Sequence, residues 1–267
     1  MRRLAAAFLL AALLWPAGAG AAEGWKPDVA GAASWASARQ GTVTFAVRTE
    51  DRLVGRGLDR QFPSASVIKA MLMVTYLRQA SVRDRALDAG DKALLSPTIR
   101  RSDNITATRI RDIVGNDAIA RLARRAGMSR FVIDPNWGSS LITARDQTRF
   151  FLGIEDLLPD RHRAYALRLL RTIVRSQRWG MAQVIPDRWK LHFKGGWGSG
   201  TGAVDHQVGL LRRADHRVAI AVLTVGNPSH AYGKATLRGV SRRLMRGLEP
   251  QVLGTAVPAP GSVQSGP

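Results

Sequence analysis

The chain has 267 residues, 45% of them hydrophobic and 22% charged, which suits one globular unit with a full-sized core. It contains no cysteine, which excludes a disulfide framework and any cysteine-ligated metal site. The formal net charge of +20 suits contact with an anionic cell-wall polymer. Nucleic acid is not expected as a partner, because the basic residues are scattered and no basic motif interleaved with aromatics accompanies them.

Met1-Arg2-Arg3, the apolar run from Leu4 to Trp15 and the small residues from Pro16 to Ala22 read as a secretory signal peptide over residues 1–22. The run is short for a bilayer span. A secreted protein, periplasmic or extracellular in a bacterial envelope, is therefore expected, with no stable membrane span once the signal is cut. Alternation over Thr42–Arg48 predicts a strand, and the glycine-containing stretch Asp51–Leu58 its hairpin partner. Phe62 to Ile68 reads as a loop leading into a strongly apolar helix that ends near Leu77. A helix over Val82–Leu95 is expected to stop ahead of Ser96-Pro97. Polar Arg101 to Asn104 precedes an amphipathic helix whose apolar residues are Ile105, Ile110 and Ile113, and Asp117–Ala126 is a further helix closed by Gly127.

Phe131–Ser140, with Asp134-Pro135-Asn136-Trp137-Gly138 inside it, is turn-rich. Thr143 is a plausible N-cap for a helix reaching about Leu158. Arg161–Arg175 is helical and Trp179–Lys190 a loop. Strands follow, the first starting at His192-Phe193-Lys194-Gly195-Gly196-Trp197, the others at His206–Arg212 and at Val218–Val225, the last two joined through Ala214-Asp215. Tyr232–Leu248 is a C-terminal helix, and the Pro/Gly/Ser-rich tail, residues 251–267, is expected to be disordered. Residues 23–250 are then expected to form one domain. Two strands, a run of helices, three strands and a final helix imply an α+β fold (an α/β sandwich). Its sheet is antiparallel and five-stranded, with flanking helices and an all-helical lobe inserted between the terminal strands.

Ser66 and Lys69 lie three apart at the start of the apolar helix, on one face. A serine needs a base to become a good nucleophile, and a lysine made partly neutral by burial or by a nearby cation can serve. Such pairs are common on helices, so the pattern gains weight only from Ser102-Asp103-Asn104 and Lys194-Gly195-Gly196 further along. Ser-x-x-Lys, Ser-Asp-Asn and a Lys-x-Gly strand in this order resemble class A β-lactamases and the wider family of penicillin-binding serine hydrolases. The resemblance runs from about Ala30 to Leu248 and includes Thr143-Ala144-Arg145-Asp146.

The resemblance implies that Ser66 is acylated by a small-molecule β-lactam or a peptidoglycan-derived peptide. Lys69 would take its proton, with the charge of Lys194 discouraging Lys69 from keeping it. Ser102 would return a proton to the departing nitrogen. Asn104 would bond the substrate amide, Lys194 would attract a carboxylate, and Gly196 would leave room for substrate along the strand edge. The backbone N–H groups of Ser66 and Trp197 would form the oxyanion site. No cofactor or metal is implied, the five histidines showing no ligand spacing, and a monomer is expected.

The chain departs from the family pattern in four places. The loop glutamate that activates the deacylating water is missing; Asp134 is the lone carboxylate of that loop and Asn136 a weak candidate beside it. Gly195 replaces a hydroxyl residue, and the spacing from Ser66 to Ser102 is short, which implies a reduced helical lobe. Val204-Asp205-His206 stands where an arginine is expected, with His206 as a substitute cation. Acylation is therefore better supported than turnover. A cell-wall D,D-peptidase, another peptide or ester hydrolase, and a non-turnover penicillin- or peptidoglycan-binding protein are the alternatives on the same scaffold.

Overall fold

The structure, a computed structural model, describes residues 25–198 and 200–248. The expected signal peptide (1–22) and tail (251–267) lie outside the described residues. In chain order the elements are α1 (Val29–Ser37), β1 (Thr42–Arg48), β2 (Leu53–Arg56), β3 (Phe62–Pro63), α2 (Lys69–Leu77), α3 (Ala80–Arg83), α4 (Ala89–Arg100), α5 (Asn104–Val114), α6 (Asn116–Arg125), β4 (Leu141–Ile142), α7 (Ala144–Leu152), α8 (Ile154–Leu157), α9 (Asp160–Arg171), β5 (Lys190–Gly198), β6 (Val204–Arg213), β7 (His216–Val225) and α10 (His230–Leu244).

Five strands form one antiparallel sheet in the order β2-β1-β7-β6-β5, as the strand pattern implies. β1 pairs with β7 from Thr42 opposite Val225 to Arg48 opposite Ala219, so the two ends of the chain meet in the sheet. β6 and β7 are buried along most of their length, β7 as a near-continuous apolar run from Val218 and β6 with Asp205, His206 and Gln207 buried among its apolar residues. That is the pattern of strands covered on both faces. α1 and α10 pack against each other and on the sheet, while α7 packs on β1, β6 and β7.

All nine residues of α2 are buried. It packs against α4, α5, α6 and α9 of the helical lobe, and a helix surrounded in this way must be apolar all round. Lys69 is its one charged residue. Tyr76 of the same helix donates to Asp91 Oδ1 at 2.7 Å, and Arg85 donates to both Asp91 oxygens at 2.5 and 3.0 Å. Arg85 first, then Tyr76 and the Asp88 N–H, hold the Asp91 carboxyl down at about 2 against its burial.

Several expected boundaries move. α1 was not anticipated. The expected helix over Val82–Leu95 is two helices, because Asp88 and Asp91 form a reciprocal capping box that starts α4 afresh. Pro97 lies inside α4 instead of ending it, and its carbonyl accepts the N–H groups of Arg101 and Asp103, each at 3.1 Å. α5 buries Ala107, Ile110 and Val114, leaving Ile105 81% and Ile113 48% exposed. Thr143 does cap α7, accepting the Asp146 N–H. That helix stops at Gly153, however, and α8 is separate. α9 ends at Arg171, the 179–190 segment contains a 3-10 turn over Gly180–Gln183, and α10 begins at His230 and closes at Leu244.

Candidate active site

Ser66 is the half-buried second residue of a 3-10 turn, Ala65–Ile68, that runs directly into α2. The turn is reached through Ala65, which holds φ +43° without being glycine, a conformation that costs on the order of 1–3 kcal/mol and must be held by its surroundings. Buried Ser64 supplies part of that hold. Its N–H donates to Ser140 O at 2.7 Å, and its Oγ lies 3.2 Å from Ala65 O and from Trp137 O. β5 supplies the rest. A Cβ on Gly196 would sit 2.8 Å from the Ser66 nitrogen and 2.9 Å from that of Val67. Gly196 is therefore required by the serine turn itself, where the sequence suggested room for substrate.

Lys69 is fully buried. Its Nζ donates to Ser102 O at 2.5 Å, to Ser102 Oγ at 3.3 Å and to Asn104 Oδ1 at 2.6 Å. It also lies 4.9 Å from the centre of the Trp137 ring. Burial draws its ammonium down to about 7, with Asp103 opposing. Asp103 caps α5, accepting Thr106 N and Thr106 Oγ1 at 2.8 and 2.9 Å. Those bonds, ahead of the charge of Lys69, hold the Asp103 carboxyl below the usual range.

Lys194, fully buried on β5, donates to Ser102 Oγ at 2.9 Å and to Gly195 O at 2.7 Å. Burial, then the charge of Lys69, pushes it well below the ordinary lysine value. Burial thus loosens the proton of each lysine, and the charge of one amine weighs against a charge on the other. Ser102, at φ +58°, places its Oγ between the two amines. With both donating to that oxygen, the hydroxyl proton of Ser102 is free to be given elsewhere.

The remaining candidates are arranged differently. Asp134 Oδ1 accepts the Asn136 N–H at 2.8 Å, and Asn136 Oδ1 accepts the Gly138 N–H at 3.3 Å, so both side chains shape their own loop. The loop residue at the site is Trp137, which the sequence reading did not single out; its Nε1 donates to Thr108 Oγ1 at 3.1 Å. His206 is buried, with Nε2 at 2.9 Å from Pro63 O and Nδ1 accepting the Thr224 N–H at 3.1 Å. Burial brings it down to about 4. It is therefore a neutral prop beneath the serine turn and has no charge to offer a carboxylate. Trp197, next after Gly196, packs edge-on to Trp179 at 5.7 Å and stacks on His230 at 5.9 Å. Among the described residues no group of three metal-ligating side chains converges, and no helix is long and apolar enough to cross a membrane.

This sheet, with a serine turn and a helical lobe packed beside it, defines a β-lactamase-like serine hydrolase. A family model described as the beta-lactamase enzyme family matches residues 91–248, and the chain belongs to that family. The matched span takes in Ser102 and Lys194 and leaves Ser66 and Lys69 ahead of it. The fold is that of a beta-lactamase from Sphaerobacter thermophilus DSM 20745 (TM-score 0.71, 20% identity, 82% of this chain and 97% of that one). An ancestral class A beta-lactamase superposes with TM-score 0.70 at 16% identity over 82% of this chain and 98% of the other. PBP-A does so with 0.69 at 18% identity over 83% and 95%. No curated protein matches the chain.

Proposed function

We propose that this is a secreted acyl-transfer hydrolase whose Ser66 Oγ attacks the carbonyl of a β-lactam or a related amide. Lys69, neutral above about pH 7, takes the serine proton. Ser102, relieved of any need to donate to either lysine, passes a proton to the departing nitrogen. Asn104 and the edge of β5 at Gly196 and Trp197 hold the substrate, and the N–H groups of Ser66 and Trp197 receive the oxyanion. The observation that carries this reading is the placement of Ser102 Oγ between two buried lysine amines, 3.3 Å from one and 2.9 Å from the other. Such an arrangement costs stability, and perturbed amines of this kind gather at sites where protons are moved.

Deacylation is expected to be slow. Asp134 is turned onto the backbone of its own loop, and the loop brings an indole to Lys69. Intact-protein mass spectrometry after incubation with penicillin tests the proposal. A persistent adduct is expected on the wild type and none on Ser66→Ala. A wild type that stays unmodified by every β-lactam tried would refute it. The same feature of the loop favours a second reading, a cell-wall D,D-peptidase, for which release of D-alanine from a D-Ala-D-Ala peptide is the readout.

A further inference from the structure

Beyond Trp197 lies a cavity of about 330 Å³, lined by Trp197, Asp205, Asn227, Ser229 and His230 among others. It adjoins the proposed site, since Trp197 follows Gly196, whose backbone abuts the Ser66 nitrogen. In a chain of net charge +20, no lysine or arginine lines it among the described residues, and Asp205 is the one carboxylate among them. Asp205 is buried, with Oδ1 2.5 Å from His230 Nδ1 and Oδ2 accepting from Asn227 Nδ2 at 3.1 Å. The half-exposed His230 ring, with Nδ1 turned to Asp205, is left with Nε2 as its free nitrogen. It is fixed by stacking on Trp197 and by edge contact with Trp179 at 5.2 Å.

The orientation of the Asn227 amide is set by its surroundings. Nδ2 faces three oxygens, those of Ala203 O, Asp205 Oδ2 and Thr224 Oγ1. The buried Oδ1 is left without a donor, and an unmet buried acceptor costs about 1–3 kcal/mol. A carboxylate, an unmet amide oxygen and an imidazole nitrogen together ask for a donor carrying positive charge, while the Trp197 indole already has His230 stacked on it and Lys194 Nζ 5.9 Å from its centre.

We propose that this cavity is a subsite for a substrate group that is cationic and donates N–H bonds, a primary ammonium or an amidinium. The proposal rests on the acyl-transfer reading in placing that group on a molecule that acylates Ser66. Such a substrate would be opposite in sign, at this point, to one held by its carboxylate at Lys194. The ionisable groups facing Asp205 are His230 and, at longer range, Lys234. Burial raises the Asp205 carboxyl above the usual carboxylate range, so its hold on a cation weakens as pH falls below neutral.

Benzylammonium and benzoate serve as probes, titrated into Ser66→Ala protein by calorimetry and tryptophan fluorescence. Benzylammonium is expected to bind at least about tenfold more tightly than benzoate, a factor of ten being 1.4 kcal/mol. Its binding should weaken at least about tenfold in Ser66→Ala/Asp205→Asn and as pH falls from 7 to 5. Should the Asp205→Asn protein not fold, the probe comparison and the pH series decide on their own. Equal or tighter binding of benzoate, or benzylammonium binding indifferent to pH, overturns the proposal. In wild-type protein, benzylammonium should also slow acylation of Ser66 competitively; binding without competition would place the cavity outside the substrate site and overturn it too. If no β-lactam acylates Ser66, the acyl-transfer reading fails by itself, while the binding comparison on Ser66→Ala still decides the selectivity of the cavity.

Discussion

Two segments meet at Lys69 and treat it in opposite ways. The 102–104 turn gives its amine two close oxygens, Ser102 O at 2.5 Å and Asn104 Oδ1 at 2.6 Å. The 133–140 loop gives it the face of Trp137 and keeps the Asp134 carboxylate for its own backbone. The Lys69 amine thus has polar acceptors on one side and an aromatic wall on the other. On the proposed acyl-transfer reading, the difference teaches that forming an acyl-enzyme and releasing it are separate structural problems, the polar groups serving the first.

The comparison breaks most readily at Lys69. Lys69→Met is expected to lower the rate of Ser66 acylation by about 10²–10⁴-fold, the usual worth of a positioned base. In the wild type that rate should rise with pH through about 7, where folded Lys69 loses its proton. A rapid-mixing experiment with a chromogenic cephalosporin reads both, and a flat pH profile would remove Lys69 from the role. Trp137→Glu sharpens the other side by placing a carboxylate where the indole stands. The lifetime of the penicillin adduct should shorten by about 10²-fold, and the pH midpoint of acylation should move upward because a carboxylate favours the ammonium. An unchanged lifetime would mean that the loop does not limit release.

Gly196→Ala forces β5 away from the serine turn, since the new methyl would lie 2.8 Å from the Ser66 nitrogen. A loss of about 1–3 kcal/mol in stability and a roughly tenfold slower acylation are expected. Wild-type acylation kinetics in this variant would show that the close contact has no part in the site. The smallest effect is on stability against pH. The folded Lys69 gives up its proton at about 7 and the unfolded one only near 10.5. Between those values the unfolded chain binds more protons, so stability rises with pH, by at most about 1.4 kcal/mol per unit for this group. Lys194, also pushed down, adds in the same direction. Denaturant midpoints at pH 7.5 and 9 should therefore differ more in the wild type than in Lys69→Met.

Much of the fold was legible because the pattern was local. β1 runs over the residues its alternation indicated, and Thr143 caps α7 as its hydroxyl and position suggest. Ser66, Lys69, Ser102 and Lys194 carried their own signal through order and spacing, and the structure brings their segments together. What the sequence did not disclose depends on tertiary context. Pro97 is tolerated because its carbonyl caps the turn that carries Ser102. Ile105 looks like a core residue in a helical count and faces outward. Ala65 and Ser102 adopt left-handed backbone with no glycine or asparagine to advertise it. Trp137 read as one more residue of a turn. Asp205 fell outside the strand expected over His206–Arg212, and its partner His230 is 25 residues away, so only the fold joins them.

The pairing of β1 with β7 has a consequence for how the molecule comes into being. Its partners, such as Val43 and Thr224, are separated by nearly the whole described chain. Contacts of such long range are entropically costly to close and slow a folding reaction. The serine turn is also locked late, since Gly196 and His206, which press on it, belong to strands that follow the entire helical lobe. A chain stalled before β5 would hold every residue of the Ser66 helix and still lack the support that fixes its backbone. Reactivity should therefore appear at the final stage of folding, after the exposed edges of the unfinished sheet have passed through their most aggregation-prone state.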